Sequence, residues 1–290
     1  MDLNNDGYRD ILSGSYSRMG QPMAGLFQVL WGKAGNRFEP AAELQGTDQN
    51  PLIIPIKDSK SEMTRNICTR PTATDWNGDG KLDLVVGNFE GTFYLFQGEG
   101  SGKFAPVPQA LMAANDRLRI HSAHSDPFVV DWDADGDMDL LSGSSNGGVE
   151  WAENTAGPGK LPALKPFKPI IPPSGHERET GELLDEGDLT GPSGSTRVWA
   201  DDFDGDGKLD LLVGDSVTLV AMAKGVNKKQ YTQKLSAWKK SFEDALQNLE
   251  KATSDTQRKK AQERYQQLYQ KRSEFMNEQA TGYVWFFRRK

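Results

Sequence analysis

At 290 residues, 36% hydrophobic and 26% charged, the chain can bury a sizeable core, which excludes an intrinsically disordered protein. Thirty-four basic against 41 acidic residues give a net charge of −7, which argues against nucleic-acid binding, and the single cysteine, Cys68, excludes an internal disulfide. No apolar run of about 18 residues occurs, so neither a membrane span nor a signal peptide is expected, while 30 glycines and 15 prolines suggest short strands joined by turns.

The chain opens inside a motif, "DLNNDGYRDILSG" from Asp2, in which acidic or amide side chains alternate along a loop that runs into a short apolar segment stopped by glycine. The leading strand of this first unit is missing, so a truncated N-terminus or an open ring is expected. A second segment follows, "GLFQVLWG" from Gly25, with Phe27 and Val29 on one face of a strand. The pair then recurs: "DWNGDGKLDLVVG" from Asp75 precedes "GTFYLFQG" from Gly91, and "DWDADGDMDLLSG" from Asp131 precedes "GGVEWAEN" from Gly147. The fourth motif, "DFDGDGKLDLLVG" from Asp202, meets its partner "GYVWFFRR" only at Gly282, 80 residues on, against 16 in the second and third copies.

Motif starts 73, 56 and 71 residues apart suit one four-stranded unit per copy. Strand A precedes the loop, as in "TRPTAT" and "DPFVV"; strand B is the apolar triplet after it; strand C opens on the aligned glycine. Strand D is assigned to apolar runs such as "PLIIPI" and "RLRIHS". Such units predict an all-β propeller of about four four-stranded blades. The tryptophans Trp76 and Trp132, each following the first loop aspartate, read as blade packing, and Cys68 as a small buried apolar residue rather than a nucleophile.

The loop has oxygen-bearing side chains at positions 1, 3, 5 and 9, glycine at 6, and a backbone carbonyl on offer at 7. Calcium takes six to eight oxygen ligands at about 2.3 to 2.6 Å, and alternate positions on a tightly curled loop bring oxygens to one point. The expected ligand sets are Asp2, Asn4, Asp6, Tyr8 and Asp10; Asp75, Asn77, Asp79, Lys81 and Asp83; Asp131, Asp133, Asp135, Asp137 and Asp139; and Asp202, Asp204, Asp206, Lys208 and Asp210, with Tyr8, Lys81, Asp137 and Lys208 offering carbonyls. An Asx-rich turn explains one such loop but explains four poorly. An EF-hand needs a bidentate glutamate at position 12, where this chain has Ser13, Val86, Ser142 and Val213. Up to four calcium ions are expected, and they would offset the charge of the fourteen aspartates at positions 1, 3, 5 and 9 of these sets.

Between Gly225 and Gly282 the composition shifts to Lys, Gln, Glu, Ala and Leu without proline. Tyr231, Leu235, Trp238, Phe242, Ala245 and Leu249, then Ala261, Tyr265, Leu268, Arg272 and Phe275, recur at steps of three and four, which predicts an antiparallel helical hairpin with heptad-like seams. Ser254 and Gln257 form a capping box that opens the second helix. The domain plan is therefore 1–223 plus 281–290 for the β unit and 224–280 for the insertion. The hairpin carries 13 basic and 7 acidic residues between Lys224 and Ala280.

The four copies, spanning residues 1 to about 223 and 281 to 290, resemble FG-GAP/VCBS repeats, the calcium-loop blades of integrin α-chain heads and many exported bacterial proteins. The long insertion before "GYVWFFRRK" is similar to a bacterial VCBS-type subgroup. The resemblance implies a propeller, calcium, and an extracellular, cell-surface or periplasmic location, but no single activity. Strand alternation places the hairpin on the rim opposite the acidic loops. That rim also receives the segments bearing His121, His124 and His176, which read as ordinary polar residues rather than a metal cluster. The expected function is a noncatalytic module that binds a protein or glycan through this rim. The alternatives are a polysaccharide lyase or hydrolase on the same scaffold, or a purely structural surface protein. No nucleophile elbow, zinc signature or P-loop supports an enzyme, and no catalytic residue is assigned.

Overall fold

The computed structural model describes residues 1–16, 23–24, 27–55, 67–174 and 181–290, with 23, 24 and 55 described by backbone alone. The chain divides into two compact units, one comprising residues 1–176, 191–216 and 283–290, the other 177–190 and 217–282. It is mostly β, in small antiparallel sheets, with two α-helices.

In the first unit each acidic motif feeds a strand that pairs antiparallel with its neighbours. The first loop leads into β1 (Ile11–Ser13), which pairs with β2 (Gln28–Leu30), and β2 with β3 (Ala42–Glu43). The second sheet runs β4 (Arg70–Thr74), β5 (Asp83–Gly87), β6 (Phe93–Phe96) and β7 (Gln109–Ala110). Thr74 pairs with Asp83 and Arg70 with Gly87, so the acidic loop is the connection between β4 and β5. The third repeats this as β8 (Asp126–Val130), β9 (Asp139–Gly143), β10 (Val149–Ala152) and β11 (Lys168–Ile171). In the fourth, β12 (Gly194–Asp201) pairs with the first part of the long β13 (Asp210–Met222). The rest of β13 pairs with β14 (Met276–Thr281), and β15 (Val284–Phe287) returns to its first part.

The two-residue period of each strand after a loop sends alternate side chains to successive sheets. Leu84 and Val86 join a core with Phe27, Val29 and Phe104, whereas Val85 joins Leu140, Ala152 and Phe167. Leu141 and Val149 then share a core with Val198, Leu211 and Val213. In the first three motifs the closing glycine sits directly against backbone at or beside the next sheet. A Cβ on Gly14, Gly87 or Gly143 would lie 1.9, 2.3 or 2.2 Å from the carbonyl oxygen of Thr69, Ser125 or Thr196, whereas one on Gly214 would meet nothing within 4 Å. The outward faces of the first and fourth sheets stay exposed at Ile11 (47%), Val284 (72%) and Phe286 (53%).

Two expectations are corrected. Strand D lies earlier than the apolar runs assigned to it: it is Ala42–Glu43 in the first copy and Gln109–Ala110 in the second. Leu52, Ile54, Leu118 and Ile120 of those runs are core residues, but they lie outside those ladders. Aligning strand C on its glycine sets Val284 and Phe286 in register with Phe27 and Val29, hence on the buried face; Trp285 and Phe287 pack against the core instead. Among the described residues no further sheet covers the opposite side.

In the second unit, α1 (Lys228–Glu250) and α2 (Asp255–Lys271) form the expected pair, each opened by a capping box, Asn227 with Gln230 and Ser254 with Gln257. Tyr231, Trp238 and Phe275 pack with Val220 and Met276. The Trp238 indole N–H donates to the Leu268 carbonyl at 2.7 Å, and the Tyr231 hydroxyl to that of Gly181 at 2.6 Å, so both polar tips are satisfied on burial. The second helix is shorter than its seam predicts: Arg272 and Glu274 bound a 3-10 turn, and Phe275 follows it.

Candidate metal centres

All four acidic loops curl through left-handed backbone at two positions, not one. Position 6 is glycine throughout, at φ values that residues with a Cβ rarely adopt: Gly7, Gly80, Gly136 and Gly207 have φ of 89°, 82°, 92° and 84°. Position 4 holds Asn5, Gly78, Ala134 and Gly205, with φ of 65°, 74°, 64° and 75°, a requirement the sequence pattern conceals because three residue types fill it.

The curl lets the position 1 carboxylate accept two backbone N–H groups. Asp2 accepts from Asp6 and Gly7, Asp75 from Asp79 and Gly80, Asp131 from Asp135 and Gly136, and Asp202 from Asp206 and Gly207, at 2.8 to 3.1 Å. The position 5 carboxylate accepts from the position 7 N–H in every loop. Asn4, Asn77 and Asp204 at position 3 each accept from the position 5 N–H. These bonds pre-set the side chains around one centre. Asp131, Asp133 and Asp139, and likewise Asp202, Asp204 and Asp210, each offer an oxygen within 4.8 Å of the others and could hold a metal ion. The first two loops have asparagine at position 3.

Position 9 has a role that its place in the ligand list did not reveal. Asp10, Asp83, Asp139 and Asp210 are buried, and each ties its loop to the end of strand C. One oxygen accepts from the N–H of Gly32, Gly98, Asn154 or Arg289, at 2.7 to 2.9 Å. In the first three loops the other accepts from Leu3, Trp76 or Trp132, the residue after position 1. Trp76 and Trp132 are buried, each in a hydrophobic core of the first unit.

The charge balance favours a cation. Burial pushes the Asp139 carboxyl up to about 6, and burial followed by neighbouring carboxylates raises Asp83 and Asp133. Asp137, expected to contribute only a carbonyl, has a buried side chain that accepts from Gly157 at 2.7 Å and is also raised by burial. Among the described buried atoms without a hydrogen-bond partner are Asp133 Oδ1, Asp137 Oδ1 and Asp210 Oδ2. An unpaired buried carboxylate oxygen is costly, and an all-oxygen donor set with such oxygens fits a hard cation.

The opposite ends of the A strands have different chemistry. Arg70 and Arg197 flank the Asp126 carboxylate, at 3.7 and 3.4 Å. Nearby, Cys68 and His124 hold left-handed backbone. The His124 ring lies 4.4 Å from that of Phe89, and burial, followed by Arg70 and Arg197, lowers its pKa. Cys68 is half-buried rather than fully buried, with its thiol pushed up by burial. His121 Nδ1 lies 2.5 Å from Oε2 of the buried Glu150. His176 lies outside the described residues.

A family model for FG-GAP-like repeats matches residues 75–142 and again 131–213, covering the second, third and fourth acidic loops. No curated protein matches the chain significantly. Among the described residues no helix is long and apolar enough to cross a membrane.

Proposed function

We propose that this chain is a noncatalytic β-propeller module of the FG-GAP/VCBS type, with calcium bound in its acidic loops and a protein or glycan bound elsewhere. The observation that carries the reading is the repeated loop geometry: the same backbone bonds orient four sets of oxygens, and three buried carboxylate oxygens have no partner. Calcium fits such sets because it accepts many oxygens in a flexible shell, and at a hundredfold excess over its dissociation constant one site adds about 2.7 kcal/mol of stability. The sheets are the blades, packed face to face through the cores described. The proposed setting is extracellular, cell-surface or periplasmic, where calcium is plentiful.

The ligand surface is assigned to the connections at the strand ends away from the acidic loops, where His121 and His124 lie; the basic hairpin of the second unit is a separate candidate surface. A rival reading, a polysaccharide-active enzyme, has one observation in its favour: the buried Glu150 holds one ring nitrogen of His121, whose side chain is 70% exposed. A glycan array and a lyase and hydrolase assay, each with calcium and with EGTA, separate the two. Binding without turnover is expected, and turnover abolished by His121→Gln would overturn the noncatalytic reading. Equilibrium dialysis against calcium tests the metal; a chain that retains none above background would sink that part.

A further inference from the structure

The fourth acidic loop differs from the other three in what faces it. Asp210 is fully buried, its Oδ1 accepts from Arg289 N–H at 2.9 Å, and its Oδ2 has no partner, although the equivalent oxygen of Asp10, Asp83 and Asp139 is bonded to backbone. Asp202 and Asp204 bring oxygens within 4.8 Å of it. The buried free oxygen thus belongs to a preformed acidic site rather than to a solvated turn.

The same site has a cation of its own. Arg288 Nε pairs with Asp204 Oδ2, and its Nη2 lies 3.9 Å from Asp206 Oδ2. Among the described residues no such ion pair reaches the carboxylates of the other three loops. The register explains why. The residue whose N–H binds the position 9 aspartate is Gly32, Gly98, Asn154 or Arg289, so the residue before it is fixed beside its loop in every copy. That residue is Trp31, Gln97, Glu153 or Arg288, and only the last is a cation. In the third copy this register supplies a further negative charge, and Glu153 is among the groups that raise Asp133.

We infer that Arg288 is a resident counter-ion of the fourth loop, which a metal ion must displace, so that this site binds calcium more weakly than its four carboxylates would otherwise allow. The inference rests on the proposed reading of the loops as calcium sites. The side chain of Arg288 is 60% exposed, so it can swing into solvent while the Arg289 backbone bond keeps the strand in register. Calcium occupancy would then release a guanidinium from the loop. The site acts as a cation exchanger, filling at higher calcium and discharging when calcium falls.

Calorimetric titration of the full chain with calcium chloride tests this, using wild type, Arg288→Gln and the double variant Asp204→Asn/Asp206→Asn. All three substituted side chains are at the surface, and circular dichroism verifies that each variant folds. Arg288→Gln is expected to tighten one binding event by up to about fivefold, the upper end for losing one exposed ion pair, with the others unchanged. The double variant is expected to lose or weaken that same event. If Arg288→Gln leaves the isotherm unchanged or weakens it while the double variant still removes an event, the loop binds calcium and the counter-ion role is wrong. If the double variant neither removes nor weakens an event, the fourth loop is not a calcium site and both ideas fall.

Discussion

The buried aspartate at position 9 is the most informative single residue of each copy. Asp83 is fully buried and accepts from Trp76 and Gly98, so it joins both ends of its loop to strand C whether or not a metal is bound. Asp83→Ala leaves two buried donors without an acceptor, at about 1 to 3 kcal/mol each. Urea unfolding in EGTA should therefore show a loss of about 2 to 5 kcal/mol, with Asp83→Asn intermediate because one oxygen remains. A loss confined to calcium-containing buffer would mean that the carboxylate acts only as a ligand. His124 gives a pH prediction of definite sign. Burial and the nearby Arg70 and Arg197 lower its folded pKa below the ordinary 6.5, so its contribution is complete above that value. As the pH falls below 6.5 the unfolded chain takes up the proton first, and stability drops until the folded value is passed. Asparagine tolerates the left-handed backbone found there (φ 61°), so His124→Asn should flatten the stability profile below pH 6.5 without strain. Equal slopes for the two proteins would refute this.

At the scale of elements, the glycine that ends each motif separates a role in chain geometry from a role in packing. Gly87 and Gly214 occupy the same position of the repeat, yet a Cβ would meet the Ser125 carbonyl oxygen at 2.3 Å in the first and open space in the second. Gly87→Ala must push two sheets apart and is expected to cost about 1 to 3 kcal/mol. Gly214→Ala should be neutral in the same denaturant titration, and a comparable loss at both sites would mean that the glycine serves the turn alone. Strands A and B were legible in the sequence because the acidic loop joins them and a glycine ends the second, and strand C because its opening glycine recurs in every copy. Strand D was not: Ala42–Glu43 and Gln109–Ala110 are two residues long, too short to carry a pattern. Neighbouring runs such as "PLIIPI" drew the assignment because Leu52 and Ile54 are indeed buried, but burial alone does not place a residue in a ladder. The acidic loops were legible as alternating oxygens. The left-handed turn at position 4, the backbone bonds of position 9 and the Arg288 pair were hidden because each depends on what folds against the loop. Only Arg288 had left a trace, as the one cation at its place in the strand C alignment.

For the whole molecule, the division into two units makes the response to calcium separable. The acidic loops all belong to the first unit, and both α-helices to the second, whose own core is built on Val220, Tyr231, Trp238, Phe275 and Met276. The optical probes divide the same way. Ellipticity at 222 nm follows mainly the helices, while Trp31, Trp76, Trp132, Trp151, Trp199 and Trp285 lie in the first unit and only Trp238 in the second. One saturated calcium site adds about 2.7 kcal/mol, which for a unit of this size raises the melting midpoint by roughly 5 to 10 °C. Thermal melting with and without EGTA should therefore show a calcium-dependent shift in tryptophan fluorescence and little or none in ellipticity, most clearly in a Trp238→Phe variant. The second unit lacks an acidic loop, so its stability has no direct linkage to calcium. If the two midpoints moved together, the units would unfold as one cooperative body. If neither moved, the acidic loops would be Asx turns, and the charge they concentrate would have some purpose other than a metal.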